Sequence, residues 1–463
     1  MTSRVPILVT ILGATGTGKS KLAIQLAQKY YGEIISADSM QVYKGLNVIT
    51  AKVTKEEQAM APHHMLDIVD PLSTFTVVDF RNRALPIIDK LLSNDKTPII
   101  VGGTNYYIES LLWQVLVEDP KDIESGSCSL SVKNKNDDNK KTLSIISDDD
   151  LILNDKKINN ITDNDEPPFK KVKFDDPISN DELHRKLKEI DPEMAARLHP
   201  NNRRKIIRSL QVFEQLGKKH SEILRDQRLA AGGSGLGGPL RYDNSVILWL
   251  QCDQKTLDKR LDLRVDSMLE FGLVQELLDF HDRYNQERIK SNALPDYTKG
   301  IFQSIGFKEF HDYLILDKGE RDTEKGKKLL NDGIENLKLR TRRYARRQHR
   351  WVTNRLIKRF DRQVPPVYSL DSTDVSKWDD KVLGPAISIM NDKILGKIPS
   401  RKPLNNNQDN NETGLAVDSG NEKSHFCETC DRVFIGEFQW KAHLEGRKHG
   451  RMLRRRKATQ SSI

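Results

Sequence analysis

Apolar residues along this chain fall into two alternating rhythms. Val5 to Leu12 is a nearly continuous apolar run, too short for an ordinary helix, and it predicts a strand covered on both faces. Between Lys19 and Tyr30, Leu22, Ala23, Leu26 and Ala27 share one helical face. Glu33 to Ala37 predicts a second strand, Thr76 to Leu92 a helix with a kink at Pro86, and Thr97 to Val101 a third strand closing on Gly102-Gly103-Thr104. Val246 to Leu250 is a later strand, followed by Leu257, Leu261, Val265 and Met268 at helical spacing. Strands that alternate with helices predict an α/β fold on a parallel sheet.

The rhythm is interrupted between these stretches. From about Glu118 to Asp176 the chain turns to Asp, Asn, Lys and Ser with few aromatics, which predicts a disordered insertion. Lys170-Lys171-Val172-Lys173 inside it has the form of a minimal nuclear-import address, although a solvated charge cluster explains it as well. Helical spacing resumes with Leu183, Leu187 and Ile190, and a second helix over Asn202 to Gln215 turns Ile206, Leu210 and Phe213 inward. Gly232 to Gly238 reads as a flexible loop, and Leu337 to Leu356 as a strongly basic helix. The expected layout is a first core segment at 1–117, the insertion at 118–178, an inserted helical region at 179–231, the glycine loop at 232–239, the rest of the core at 240–400, a linker at 401–424, and a terminal module at 425–463.

Charge and cysteine content narrow the partners. A formal net charge of +9 and a pI near 9.1 over 463 residues favour an acidic partner such as a nucleic acid. Of the four cysteines, two stand in metal-type spacing, so a reducing compartment is expected and a disulfide framework is not. No apolar run is long enough to span a bilayer and no secretory signal is visible, so no membrane association is expected.

The chemistry starts at Gly13-Ala14-Thr15-Gly16-Thr17-Gly18-Lys19-Ser20, which meets every fixed position of the phosphate-loop pattern G-x-x-x-x-G-K-[ST]. Such a loop aims backbone N–H groups, a helix N-terminus and one lysine at a cluster of anionic oxygens. Ser20 is placed to meet magnesium. The second strand delivers Asp38-Ser39-Met40-Gln41 to the same sheet edge; Asp38 is a solvated loop carboxylate, a helix cap, a general base or a magnesium partner. A nucleotide-hydrolysing relative would close its third strand on aspartate, and here that strand ends on two glycines and Thr104. Asp253 is a second, weaker magnesium candidate, and His63 and His64 read as structural.

Basic side chains gather on two helices. Arg203, Arg204, Lys205 and Arg208 share the first, and Arg340, Arg342, Arg343, Arg346, Arg347 and Arg350 share the second with Tyr344, His349 and Trp351. Arginine forks match phosphate oxygens, and the aromatics can pack inward or stack on bases, so an RNA or DNA backbone is the natural partner. At the C-terminus, Cys427-x2-Cys430-x12-His443-x5-His449 has C2H2 zinc spacing. Four ligands close the site, so the zinc is structural, with Phe434 and Leu444 filling a small core near Trp440.

Gly13 to Ser20, Asp38 to Tyr43, Gly102-Gly103-Thr104 with Tyr107, Pro200 to Arg208, Ser304 to Glu309 and Arg346 to Trp351 together resemble the tRNA dimethylallyltransferase (isopentenyltransferase) family, in its eukaryotic form with a C-terminal finger. The chain departs at Arg204, where many bacterial members carry glutamine. The resemblance implies a P-loop NTPase-like core with an inserted tRNA-binding helical domain and a zinc finger. It also implies transfer of a dimethylallyl group from its diphosphate to N6 of adenine 37, beside the tRNA anticodon. On that reading Gly13 to Ser20 hold the diphosphate, with magnesium at Ser20, and Asp38, Thr104 and Arg208 are catalytic. Asp38, Ser39, Met40, Gln41, Thr104, Arg204, Lys205, Arg208, Arg343, Arg346, Arg347 and Arg350 would contact the tRNA anticodon stem-loop. A monomer is expected, in the cytoplasm, with mitochondria and the nucleus left open as further compartments. Two rivals fit parts of the chain: a phosphate-loop kinase using ATP, and a non-catalytic zinc-finger regulator that binds nucleic acid.

Overall fold

The run expected as the first strand is β1, Leu8–Gly13, and every residue in it is buried. It lies within a six-stranded sheet of order β3-β2-β4-β1-β5-β6, with β2 Gly32–Ser36, β3 His63–His64, β4 Thr97–Val101, β5 Ser245–Gln251 and β6 Val367–Asp371. All five pairings are parallel. The protein is seen here as a computed structural model that describes residues 5–114, 178–229, 238–284, 300–358, 362–405, 424–435 and 437–460. The insertion expected at 118–178, except for its last residue, lies outside them, as do most of Gly232 to Gly238 and most of the 401–424 linker.

Both faces of the sheet are covered, which is why its strands read as apolar runs. Leu8, Leu12, Ile35, Ile100, Ile247 and Trp249 point to one face, where Phe80, Ala84 and Ile88 of the helix Val77–Ser93 pack on them. Val9, Ile11, Ile34, Ile99, Val246 and Leu248 point to the other, against Leu22, Ala23 and Leu26 of the helix Lys19–Tyr30 and Ile389 and Met390 of Gly384–Ile394. Period-two alternation thus splits each strand between two cores.

One unit of the chain comprises Met1–Val117 and Glu222–Asn421. Its longest helix, Glu324–Val352, begins well before the basic stretch expected at Leu337. Gly326 and Gly333 hide that start from a propensity reading, yet each is needed: a Cβ would lie 2.3 Å from the Arg321 carbonyl oxygen and 2.9 Å from the Phe310 ring, respectively. The long helix packs on Gln254–Glu270, and their charges interlock. Lys338 meets Asp266 at 2.7 Å, Arg342 pairs with Asp262, and Arg346 pairs with Asp258, one helical turn at a time. The basic helix is therefore not uniformly unpaired, and Arg346 already has a carboxylate. Trp351 packs edge-on against Tyr106, so that aromatic turns inward.

The second unit, Glu118–Ser221 with Glu422–Ile463, joins the inserted helices to the terminal finger. Leu183, Leu187, Ile206 and Leu210 are buried in it as expected, but Val212 and not Phe213 is the buried residue of the last turn. Asp191, 1 % exposed, accepts hydrogen bonds from the backbone N–H groups of Met194 (3.0 Å) and Ser221 (2.8 Å), tying the helices together. His199 meets Asp431 at 2.8 Å and stacks on Phe426, so the finger's hairpin is anchored on this helical region. Among the described residues, no helix is long and apolar enough to cross a membrane.

Candidate active site

The phosphate loop joins β1 to the helix Lys19–Tyr30 at the C-terminal edge of the sheet. Gly18 has φ 89°, and a Cβ on it would lie 2.7 Å from the Trp378 ring, so both its backbone and its packing require glycine. The Ala14 carbonyl accepts hydrogen bonds from Thr17 Oγ1 at 2.8 Å and Lys19 Nζ at 2.9 Å, which draws the loop tight.

A cavity of about 400 Å³ opens at this edge. The phosphate loop gives it Thr15, Gly16, Gly18, Lys19 and Ser20. Gly13, Ala14 and Thr17, also expected to hold the diphosphate, do not line it: Thr17 is 3 % exposed with its hydroxyl spent on Ala14, and these three shape the loop. Asp38 and Gln41 come from beyond β2, Gly102 and Gly103 from beyond β4, Arg264 from Gln254–Glu270, and Tyr344 and Gln348 from the long helix. Ala23, Ile34, Val101 and Leu66 supply apolar wall.

Asp38 Oδ1 accepts the Met40 N–H at 2.9 Å. Burial pushes its carboxyl above the ordinary carboxylate range, while the Met40 N–H, Lys19 and Arg264 pull it back. Lys19 is pushed down to about 8, first by burial and then by Arg264, with Asp38 opposing both. Burial likewise lowers the Arg264 pKa. Arg264 has no hydrogen bond or ion pair among the described residues, so it and Lys19 are two desolvated cations beside the Asp38 carboxylate, with Lys21, Lys52 and Glu57 also on the cavity wall, an arrangement suited to a compact polyanion.

Thr104 is not a cavity wall; its Oγ1 accepts the Ser39 N–H at 2.9 Å and donates to Ser39 Oγ at 3.0 Å, clamping the loop after β2 to the loop after β4. Gln41 lines the cavity with its amide committed: Oε1 accepts from Ser36 Oγ at 3.0 Å, and Nε2 donates to the Thr50 and Ala51 carbonyls at 3.1 and 3.2 Å. Asp253 caps the helix Gln254–Glu270 through the Thr256 N–H, which supports its cap role over a magnesium one. His64 is held by Glu33 at 2.6 Å at the sheet edge, whereas His63 reaches the cavity.

Arg264 and Gln348 are absent from the sequence-derived candidates, and Tyr344, expected as an aromatic that packs inward or stacks on bases, is found on the cavity wall. A signal existed: Arg264 and Gln348 occupy positions on the apolar faces of their helices, one turn from Leu261 and Val352, where a polar side chain needs a partner or a purpose. Arg343, Arg347 and Arg350 are exposed on the long helix, and Arg343 has no ion-pair partner among the described residues. In the second unit Arg204 and Lys205 are exposed, while Arg208 is half-buried and adds to the burial that holds His220 below its ordinary pKa.

The ligand atoms of Cys427, Cys430, His443 and His449 all lie within 4.8 Å of one another. His443 Nε2 is buried with no hydrogen-bond partner, and His449 Nδ1 is 3.5 Å from both cysteine sulfurs. Orphaned nitrogen and clustered thiols fit a closed tetrahedral zinc site. Phe434 stacks on His443 and Trp440 on His425; Leu444, expected in this small core, is 43 % exposed because aromatic rings fill the space.

With the geometry in place, comparison with known proteins is decisive. The IPP transferase family matches residues 41–355, and the isopentenyl transferase family matches residues 6–67. The chain belongs to the tRNA dimethylallyltransferase family. The tRNA dimethylallyltransferase of Homo sapiens is 48 % identical over 456 residues, covering 98 % of this chain and 87 % of that protein. That of Saccharomyces cerevisiae is 32 % identical over 97 % of this chain and 92 % of its own length. A crystal structure of a eukaryotic dimethylallyltransferase acting on tRNA superposes with a TM-score of 0.68 at 29 % identity, covering 98 % of each chain. A C2H2 zinc-finger family matches residues 425–449, which supports structural zinc in this member of the dimethylallyltransferase family.

Proposed function

We propose that this enzyme transfers a dimethylallyl group from dimethylallyl diphosphate to N6 of adenine 37 in tRNA, and that Asp38 is the base. The observation that carries this reading is one cavity in which Lys19 and Arg264 face a single buried carboxylate, beside a strand that ends on Gly102-Gly103 and not on aspartate. A diphosphate bound against Lys19, Arg264 and the N–H groups of the phosphate loop leaves its allylic carbon toward Asp38 and the apolar wall. Nitrogen N6 forms a bond to that carbon, the carbon–oxygen bond breaks, and the electron pair leaves on diphosphate, where two cations stabilise it. The amine becomes strongly acidic as it is alkylated, and its proton passes to the Asp38 carboxylate.

Magnesium, when bound, neutralises charge on the diphosphate. The Ser20 hydroxyl, exposed on the cavity wall, is the kind of oxygen donor that ion takes alongside substrate phosphates and water. The target base must leave its stack to enter the cavity, and the exposed Arg343, Arg347 and Arg350 supply phosphate contacts for the anticodon stem-loop. The test is incubation with tRNA, magnesium and either dimethylallyl diphosphate or ATP. A five-carbon mass gain on an anticodon-loop adenosine with the first, and no phosphate transfer from the second, is the expected result; phosphate transfer from ATP would overturn it.

A further inference from the structure

We propose that Gln348 is a positioning residue that sets the distance between the two halves of the transfer site. The inference rests on the function proposed above. Gln348 sits on the inward face of the long helix and is 4 % exposed. Its Oε1 accepts the Thr15 N–H of the phosphate loop at 2.9 Å, and its Nε2 donates to the Gly103 carbonyl at 3.0 Å. One turn earlier on the same helix, the Tyr344 hydroxyl donates to that same carbonyl at 3.0 Å. A single amide thus spans the loop that binds the leaving group and the loop that borders the attacking side.

The polarity of the two partners explains the residue type. One is an N–H and the other a C=O, and an amide side chain accepts from the first with its oxygen while donating to the second with its nitrogen. A carboxylate cannot donate, and a thioether or aliphatic chain can do neither. The fit is tight on the Gly103 side: a Cβ there would lie 2.6 Å from Gln348 Nε2 and 3.3 Å from Asp38 Oδ2. Glycine at 103 therefore lets the amide and the base share one small space. The same helix exposes Arg343, Arg347 and Arg350 on its outer surface, so an element suited to RNA backbone is fixed, on its inner face, to both substrate loops.

A residue held only for stability would tolerate an apolar replacement without loss of kcat, although the unpaired Thr15 N–H lowers stability. A residue that sets reaction distance would not, because displacements near one ångström cost about 10²-fold in rate. The full-length protein is assayed with tRNA and dimethylallyl diphosphate as wild type, Gln348→Met, Gly103→Ala and the double variant. Methionine keeps length and volume and removes both hydrogen bonds; alanine at 103 pushes on the movable amide end. The expected result is a kcat reduced about 10- to 100-fold in each single variant, KM for both substrates within about threefold, and a double variant no slower than the slower single one.

A Gln348→Met kcat within twofold of wild type, a loss carried by KM, or losses that multiply would each overturn the proposal. Should Gln348→Met fail to fold, Gln348→Glu, which keeps the shape and the acceptor for the Thr15 N–H but loses the donor to the Gly103 carbonyl, decides: its kcat falls with KM held, or the proposal is wrong. Wild-type transfer is the control that separates the two claims. A wild type that moves no prenyl group sinks the function and this role together, whereas an active wild type with an undiminished variant sinks only the role of Gln348.

Discussion

The zinc centre and the transfer cavity are built in opposite ways. All four zinc ligands come from the one stretch Cys427 to His449, and a short hairpin and two successive helices, Glu437–Leu444 with His443 and Arg447–Gln460 with His449, bring them together. The transfer cavity takes its walls from the ends of β1, β2 and β4 and from helices that include Gln254–Glu270 and the long helix, and one of its hydrogen bonds joins residues 333 positions apart. The zinc site can be fixed by metal–ligand bonding with little core beneath it. The cavity has no such local bond and depends on the sheet and the long helix holding their places. A local site announces itself through spacing, and a distributed one only through the polar residues it forces onto apolar faces.

The largest effect should come from the cavity. Asp38→Ala is expected to lower single-turnover prenyl transfer by about 10³-fold while tRNA affinity changes by no more than a few-fold; near-normal turnover would remove the base assignment. The pH profile of kcat/KM should report the same groups. Because burial raises the Asp38 pKa, its basic form is lost as pH falls through a value above the ordinary carboxylate range. Lys19 loses its charge as pH rises through about 8, so the profile should be bell-shaped, with activity falling on both sides. A flat profile between pH 5 and 9 would contradict both shifts. Next in size, Arg264→Gln should reduce transfer by about 10²-fold and weaken diphosphate inhibition in parallel. If it left product inhibition intact, Arg264 would not be facing the leaving group.

The finger should give smaller losses of a different kind. Removing zinc, or replacing Cys430 by Ser, should unfold residues 425–449 by circular dichroism and weaken tRNA binding about tenfold, with transfer restored at saturating tRNA. A loss of kcat at saturation would mean that the two regions are not separable. The smallest contrast lies within the long helix. Arg347→Ala should reduce the salt dependence of tRNA binding by about one counterion, and Arg342→Ala, whose guanidinium already pairs with Asp262, should leave that slope unchanged.

This contrast marks how much was legible beforehand. The four expected strands, the phosphate loop, the Asp38 loop and the finger follow from patterns within a few residues of each other, whereas β3 and β6 were not among the expected strands. The basic helix was legible as basic, but not as half of a charge ladder, because its aspartates lie on another helix and spacing on one element says nothing of what packs against it. Its true start at Glu324 was hidden by glycines whose purpose is close packing with distant residues. Leu444 gave up its expected core position to aromatic stacking that a hydrophobicity reading does not weigh.

What the amino-acid sequence determined by itself is therefore the local chemistry: a loop that can hold phosphates, one strand-end carboxylate, a metal knuckle, and alternation that requires a doubly covered parallel sheet. Only the tertiary structure decided which cations serve the site, which arginines are already paired, and that Gln348 binds two loops at once. The physical reason is range. Backbone propensity, turn geometry and ligand spacing act over a few residues, whereas burial and desolvation, which set the character of Lys19, Asp38 and Arg264, exist only once distant segments have closed around them.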